Sequence, residues 1–290
     1  MKARRAFTLV EMLVVIAIIA LLAALIIPAI NSARASARST QASSNLRQLT
    51  MAWIQYAEVQ GDMVPWLLWD PAKPQVQRYW FATVIDDGVN PPQLDFDRGL
   101  LAPYLEQDPE VFQDPDFSLS SITETRFNTL TSAFGYNASY LGPGTSIQYD
   151  ENWNWVGVYQ PGSIHPDSGK VVPPPAHAFA SLKATSKTIV FADSARGYNS
   201  DFSPGLTENW LLDPPSSGNP TTHYRHVGDI AHVSFADGHV KKFRWVENEL
   251  DVTTLPSYWD DDARANFYNR RLGFVGTTDA LYDRDIEEVD

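Results

Sequence analysis

No cysteine occurs in the 290 residues, so an exported head of this length has no disulfide to rely on and is held by its core or by bound ions. Proline is nearly missing from the first 60 residues: Pro28 alone falls there, and the other nineteen of the twenty follow Gly61. Acidic residues are missing between Met12 and Ala57, which holds three arginines, so the remainder is strongly acidic against a net charge of −13. That balance disfavours a nucleic-acid partner, whose phosphates need a basic surface. Its plain reading is a solvated, mutually repelling surface, with clustered divalent-cation sites as the alternative. Also lacking are a Gly-x-Ser-x-Gly elbow, a glycine-rich phosphate loop and a His-Glu-x-x-His pair. The pattern therefore supports no enzyme.

What the chain does have, first of all, is an apolar run. From Met12 to Ile27 sixteen residues carry no polar side chain, and between Phe7 and Ile30 only Thr8 and Glu11 are polar. As a helix these residues span roughly 36 Å, enough to cross a hydrocarbon core of about 30 Å. Glu11 is the odd member. A carboxylate inside a bilayer is costly and marks a functional position whose partner must be found.

The basic leader Met1-Lys2-Ala3-Arg4-Arg5-Ala6, followed by Phe7-Thr8-Leu9-Val10-Glu11 and the apolar run, resembles the N-terminus of type IV prepilins and type II secretion pseudopilins. The resemblance implies cleavage between Ala6 and Phe7 by a prepilin peptidase and methylation of the new Phe7 amine. It also implies contact of Glu11 with the N-terminus of a neighbouring subunit. Ala6 stands where the family usually has Gly, and Pro28 where many members carry a helix-bending proline. Loss of the leader with Lys2, Arg4 and Arg5 takes the net charge from −13 to −16. Two other readings remain at this point. Ala33-Arg34-Ala35 or Ala35-Ser36-Ala37 would suit an ordinary secretory signal peptide, and an uncleaved signal anchor is the third.

Behind Pro28 the helix continues in a polar, alanine-rich form, and Leu46, Leu49, Trp53 and Tyr56 return at spacings of three and four. That stripe needs a sheet to lie on. Gly61-Asp62 is the expected stop, giving one helix from Phe7 to Gln60. Beyond it the chain reads as short strands and loops. The organisation expected is thus a leader over 1–6, a membrane or filament-core helix over 7–30, its amphipathic continuation over 31–60, and an acidic, β-rich head over 61–290. The fold class is α+β and pilin-like, with the long helix packed on an antiparallel sheet.

Further landmarks, among them Val111-Phe112-Gln113-Asp114-Pro115 and Phe134-Gly135-Tyr136-Asn137, resemble a large prepilin-like family with long heads, named for a C-terminal signature of His, nine residues and Asp-Gly. Here His226 precedes Asp237-Gly238 by ten residues, which places an insertion near Gly228-Asp229. Asp114 stands where that family often has Cys, so no thiol-based role is expected. Thr188 to Asp193 reads as a buried strand, echoed by Val233 to Asp237, and the shared Phe-Ala-Asp ending predicts Asp193 and Asp237 near one sheet edge. Apolar runs on both sides of Asp237-Gly238, a dipeptide that supplies positive φ for a tight turn, predict a hairpin. Trp259 to Gly273 reads as a short helix capped by glycine.

Four of the six histidines lie between His223 and His239. His223 and His226 have a spacing that would serve a transition metal, His226 also suits a structural hydrogen bond, and His232 and His239 are expected to face solvent from the hairpin. Some pseudopilins hold Ca²⁺ in a C-terminal loop, and Asp193, Asp237, Asp260, Asp261 and Asp262 are the oxygen donors on offer, without EF-hand spacing. Trp66, Trp69, Trp80, Trp153 and Trp155 would suit sugar rings, so a carbohydrate- or ligand-binding head without a filament role is the alternative. The principal reading is a structural pilin-like subunit. Its implied partners are the prepilin peptidase, other pilin-like subunits and an inner-membrane assembly platform. It would cross the inner (cytoplasmic) membrane once, with its head outside the cytoplasm.

Overall fold

The computed structural model describes residues 9–61, 63–65, 67–69, 73, 75–88, 91–106, 108–127, 129–142, 146–149, 155–159, 179–199, 203–246 and 261–283; for Trp69, 146–149, 155–159 and Ala263 this is backbone alone. Helix α1 runs from Leu9 to Gln60 and continues through Pro28. Its two halves have opposite surroundings. The apolar side chains from Leu9 to Ile30 are exposed around the helix, whereas Ala42, Leu46, Leu49, Trp53 and Ala57 are buried. The stripe at spacings of three and four is therefore the docking face, and Gly61 closes the helix by donating its N–H to the Ala57 carbonyl at 3.0 Å.

Strands β1 (Leu67–Trp69), β2 (Val76–Tyr79), β3 (Thr83–Ile85) and β4 (Gln93–Asp95) form an antiparallel meander. Then come β5 (Phe134–Tyr136), the single-turn α2 (Ala138–Leu141) and the hairpin of β6 (Ser146–Tyr149) and β7 (Trp155–Tyr159). They are followed by β8 (Ile189–Asp193), β9 (Arg196–Tyr198), β10 (Pro204–Thr207), β11 (Thr222–His223), β12 (Ile230–Phe235), β13 (Val240–Arg244), α3 (Asp261–Asn269) and β14 (Leu272–Gly273). The central sheet has the order β13-β12-β8-β5, every neighbouring pair antiparallel. Lys241 and Lys242 on β13 charge an outer edge that would otherwise invite pairing with another chain.

The register of this sheet sorts its side chains. His232 and Ser234 share a face with Phe191, Asp193, Phe134 and Tyr136, and α1 lies on that face. Ala192, Val233 and Phe235 point the other way, into a layer with Leu212, Val275 and Tyr282. On the helix side Trp53 donates its indole N–H to the Tyr136 hydroxyl at 3.1 Å, and Trp80 donates to the Trp210 carbonyl at 3.1 Å. Rings of this size bury fully only when their polar edge finds such a partner. The expected α+β, pilin-like arrangement is thus the observed one.

Three details differ from expectation. Asp193 and Asp237 stand at opposite ends of β12, because β8 and β12 are antiparallel and the Phe-Ala-Asp endings run in opposite directions. The β12–β13 connection has a three-residue loop: Phe235 donates to the His239 carbonyl and Gly238 to the Phe235 carbonyl. Only Gly238, at φ +88°, takes the left-handed conformation there, which is the bulge position of a three-residue hairpin. Helix α3 ends at Asn269 with Arg271 left-handed at φ +55°, and Gly273 pairs with Thr222 in β14 instead of capping.

Candidate functional site

Where α1 enters the head, buried acids and histidines from four separate segments meet beneath it. Asp114 follows the 3₁₀ turn Pro109–Phe112, Asp193 ends β8, His226 precedes a tight turn and His232 lies within β12. The turn answers the extra residue in the signature. His226 and Ile230 exchange both backbone hydrogen bonds across Val227-Gly228-Asp229, and Gly228 and Asp229 both have positive φ.

The geometry around His226 is close. Its Nε2 lies 3.1 Å from Asp193 Oδ2 and 3.3 Å from Asp114 Oδ2, and its Nδ1 lies 2.9 Å from Asp116 Oδ2. Asp193 Oδ2 also accepts the His232 backbone N–H at 2.6 Å and stands 3.3 Å from His232 Nδ1. Burial opposes charge on His226, yet the Asp114 and Asp193 carboxylates outweigh it and push its pKa up to about 10. Burial likewise opposes charge on Asp193, but the close approach of the His226 and His232 rings and the Arg225 charge hold its carboxyl well below the usual range. Arg225 backs the cluster. Its Nη2 donates to the Ala133 and Ser194 carbonyls at 2.8 and 2.9 Å, and its guanidinium lies 4.3 Å from the Phe117 ring centre.

Two contacts join this cluster to the helix. Arg38 Nε donates to Asp116 Oδ1 at 2.5 Å, and the Ser39 hydroxyl lies 3.2 Å from His232 Nε2. Further along, Asn45 donates to the Glu110 and Gln113 carbonyls. At the far end of β12 a Cβ on Gly238 would come within 3.1 Å of the Met51 sulfur. Between these contacts β12 runs alongside α1.

The sequence-level site residues fall as follows. His226 and Asp193 come together. Asp237 sits on the hairpin tip with its carboxylate 2.5 Å from His239 Nδ1, and Asp261 and Asp262 are exposed at the start of α3. Ala6, Phe7 and Asp260 lie outside the described residues, while Glu11 is in the first turn of α1 with an exposed side chain. His232 corrects the expectation of a solvent-facing hairpin residue: it is fully buried, because β12 is an inner strand covered by α1 on that face. His223 sets its ring edge on Phe117 instead of pairing with His226 as a ligand. Trp80 is also fully buried, which removes it from any sugar platform. Trp66 and Trp153, and the side chains of Trp69 and Trp155, lie outside the described residues. Asp114, Asp116, Arg38 and Ser39 carried no local motif. Only the odd Asp at a landmark that often holds Cys pointed toward one of them.

Two comparisons bear on identity. Residues 1–27 match the family model of the prokaryotic N-terminal methylation motif, and residues 31–224 match the family described as protein of unknown function (DUF1559). The second match ends just before His226, so the signature segment lies beyond it. No curated protein and no solved structure matches the chain. With two thirds of its length inside the family model and the methylation motif ahead of it, the chain belongs to the DUF1559 family and is a prepilin-like, membrane-anchored member with its head outside the membrane.

Proposed function

We propose that the chain is a structural subunit of a type IV pilus or type II secretion-like filament. In this reading prepilin peptidase cuts it between Ala6 and Phe7, an inner-membrane platform assembles it, and other pilin-like subunits pack around its helix. The observation that supports this best is the division of α1, whose large apolar side chains are exposed from Leu9 to Ile30 while one face of the same helix is buried against the head from Ala42 onward. Such a surface is stable in lipid before assembly and against neighbouring helices after it, since burial of apolar area stabilises by roughly 25 cal/mol per Å². Among the described residues the head supplies no comparable apolar face, and its acidic composition keeps neighbouring heads solvated.

The test uses Glu11. In the family this resembles, the acid meets the amine of the next subunit, and a charge pair shielded from water is lost expensively when one partner is removed. Glu11→Val should leave processing and membrane insertion intact while strongly reducing crosslinked multimers and sheared filaments in cells that carry the assembly machinery. Equal assembly of the variant, or a parent that stays monomeric in the membrane, contradicts the filament reading.

A further inference from the structure

Three side chains beneath α1 point their polar atoms at one spot without bonding well to each other. Asp193, His226 and His232 each offer an atom within 4.8 Å of the others. The Asp193 Oδ2 is 3.1 Å from His226 Nε2 and 3.3 Å from His232 Nδ1. All three residues are at most 3 % exposed. Yet His226 Nε2 and His232 Nδ1 lack an aligned hydrogen bond, while Asp114 Oδ2, 3.3 Å from His226 Nε2, is also paired with the Arg225 guanidinium at 3.5 Å. Buried polar atoms are seldom left so. A tetrahedral ion with bonds of about 2.0–2.1 Å holds its donors roughly 3.3 Å apart, close to the distances from Asp193 Oδ2 to the two imidazole nitrogens.

We propose that Asp193 Oδ2, His226 Nε2 and His232 Nδ1 bind a transition-metal dication of the zinc class, with water completing its four-coordination. Two imidazoles favour such an ion over Ca²⁺, which takes oxygen ligands. The surroundings are those of a metal site. A metal-bound histidine hands its other ring nitrogen to a carboxylate, carbonyl or water, which fixes the ring. Here His226 Nδ1 meets Asp116 at 2.9 Å, and His232 Nε2 meets the Ser39 hydroxyl at 3.2 Å. Asp116 in turn accepts from Arg38. Both outer contacts end on α1, so the ion fastens the head to the helix at the point where the helix leaves it. This assignment stands independently of filament assembly.

The test takes the full chain in detergent micelles, stripped with chelator, loaded with zinc and desalted, and measures bound metal by mass spectrometry. The expected result is about one zinc per chain. His232→Gln and Asp193→Asn should each lose the metal, while His239→Ala, at the exposed His239–Asp237 pair, should keep it. Because substitutions at buried positions can prevent folding, the parent is also loaded with Co²⁺, and intense visible bands of a four-coordinate ion are expected. A folded parent that retains no metal, zinc retention unchanged in folded His232→Gln and Asp193→Asn, or the weak bands of six-coordinate cobalt overturns the assignment and leaves a cluster joined by a shared proton alone.

Discussion

The Ser39 hydroxyl on α1 and the Nε2 of His232 on β12 lie 3.2 Å apart across 193 positions of sequence. This contact joins the helix to the central sheet at the edge of the head, where α1 passes from exposed to buried. Ser39→Ala leaves the buried imidazole nitrogen without its partner, so the head–helix junction should lose about 1 kcal/mol. Thermal unfolding of the full chain in detergent, followed by near-UV circular dichroism, reads the change. Hydrogen exchange should rise first around residues 38–46, where the helix enters the head. A variant as stable as the parent with unchanged exchange shows the contact to be incidental.

Gly238 answers two constraints, its left-handed φ of +88° and the Met51 sulfur 3.1 Å from where a Cβ would stand. A β-branched residue is poorly tolerated at positive φ. Gly238→Val should therefore cost at least about 1 kcal/mol, and Gly238→Asn, which accepts the left-handed region more readily, should cost less. Pairing Gly238→Val with Met51→Ala separates the two causes, because only the steric part is relieved when the sulfur is gone. Equal melting of Gly238→Val and the parent contradicts the loop conformation.

Glu208 gives the head a pH dependence. Burial pushes its pKa from 4.5 up to about 7, only partly offset by hydrogen bonds from the backbone of Arg126 and Thr131 and by the Arg126 charge. The folded head thus holds the proton more tightly than the unfolded chain. The contribution is fully present below about pH 4.5 and is lost as pH rises through about 7. Between pH 5 and 8 this amounts to about 1–3 kcal/mol. Glu208→Gln should flatten that part of the stability profile, with the gain over the parent largest at pH 8. A parent profile that Glu208→Gln leaves unchanged places the ionisation elsewhere.

How much of this was legible in the sequence follows from how local each feature is. The stripe Leu46, Leu49, Trp53 is a property of one helix, and its period revealed both the helix and its buried face. The strand ending at Asp193 and the hairpin around Gly238 were equally local, set by an apolar run and by one glycine. The cluster under α1 was not, because Asp116 and His226 are 110 positions apart yet 2.9 Å from each other. No spacing rule spans such a distance. His232 misled for a physical reason. Alternation separates inside from outside only when one face of a strand is wet, and β12 is covered on both. The relative direction of β8 and β12 was also beyond the two Phe-Ala-Asp endings, since those tripeptides look alike in parallel and antiparallel pairs.

A filament subunit keeps α1 attached to the head as a processed, retained helix. The most direct measurement is the N-terminal mass of the protein extracted from membranes of cells that carry a prepilin peptidase. The prediction is a chain beginning at N-methylated Phe7, with Met1 to Ala6 removed. A mature terminus near Ser36 or Arg38, with the protein in the soluble fraction, would show that the apolar run is a discarded secretory signal and would contradict the filament reading.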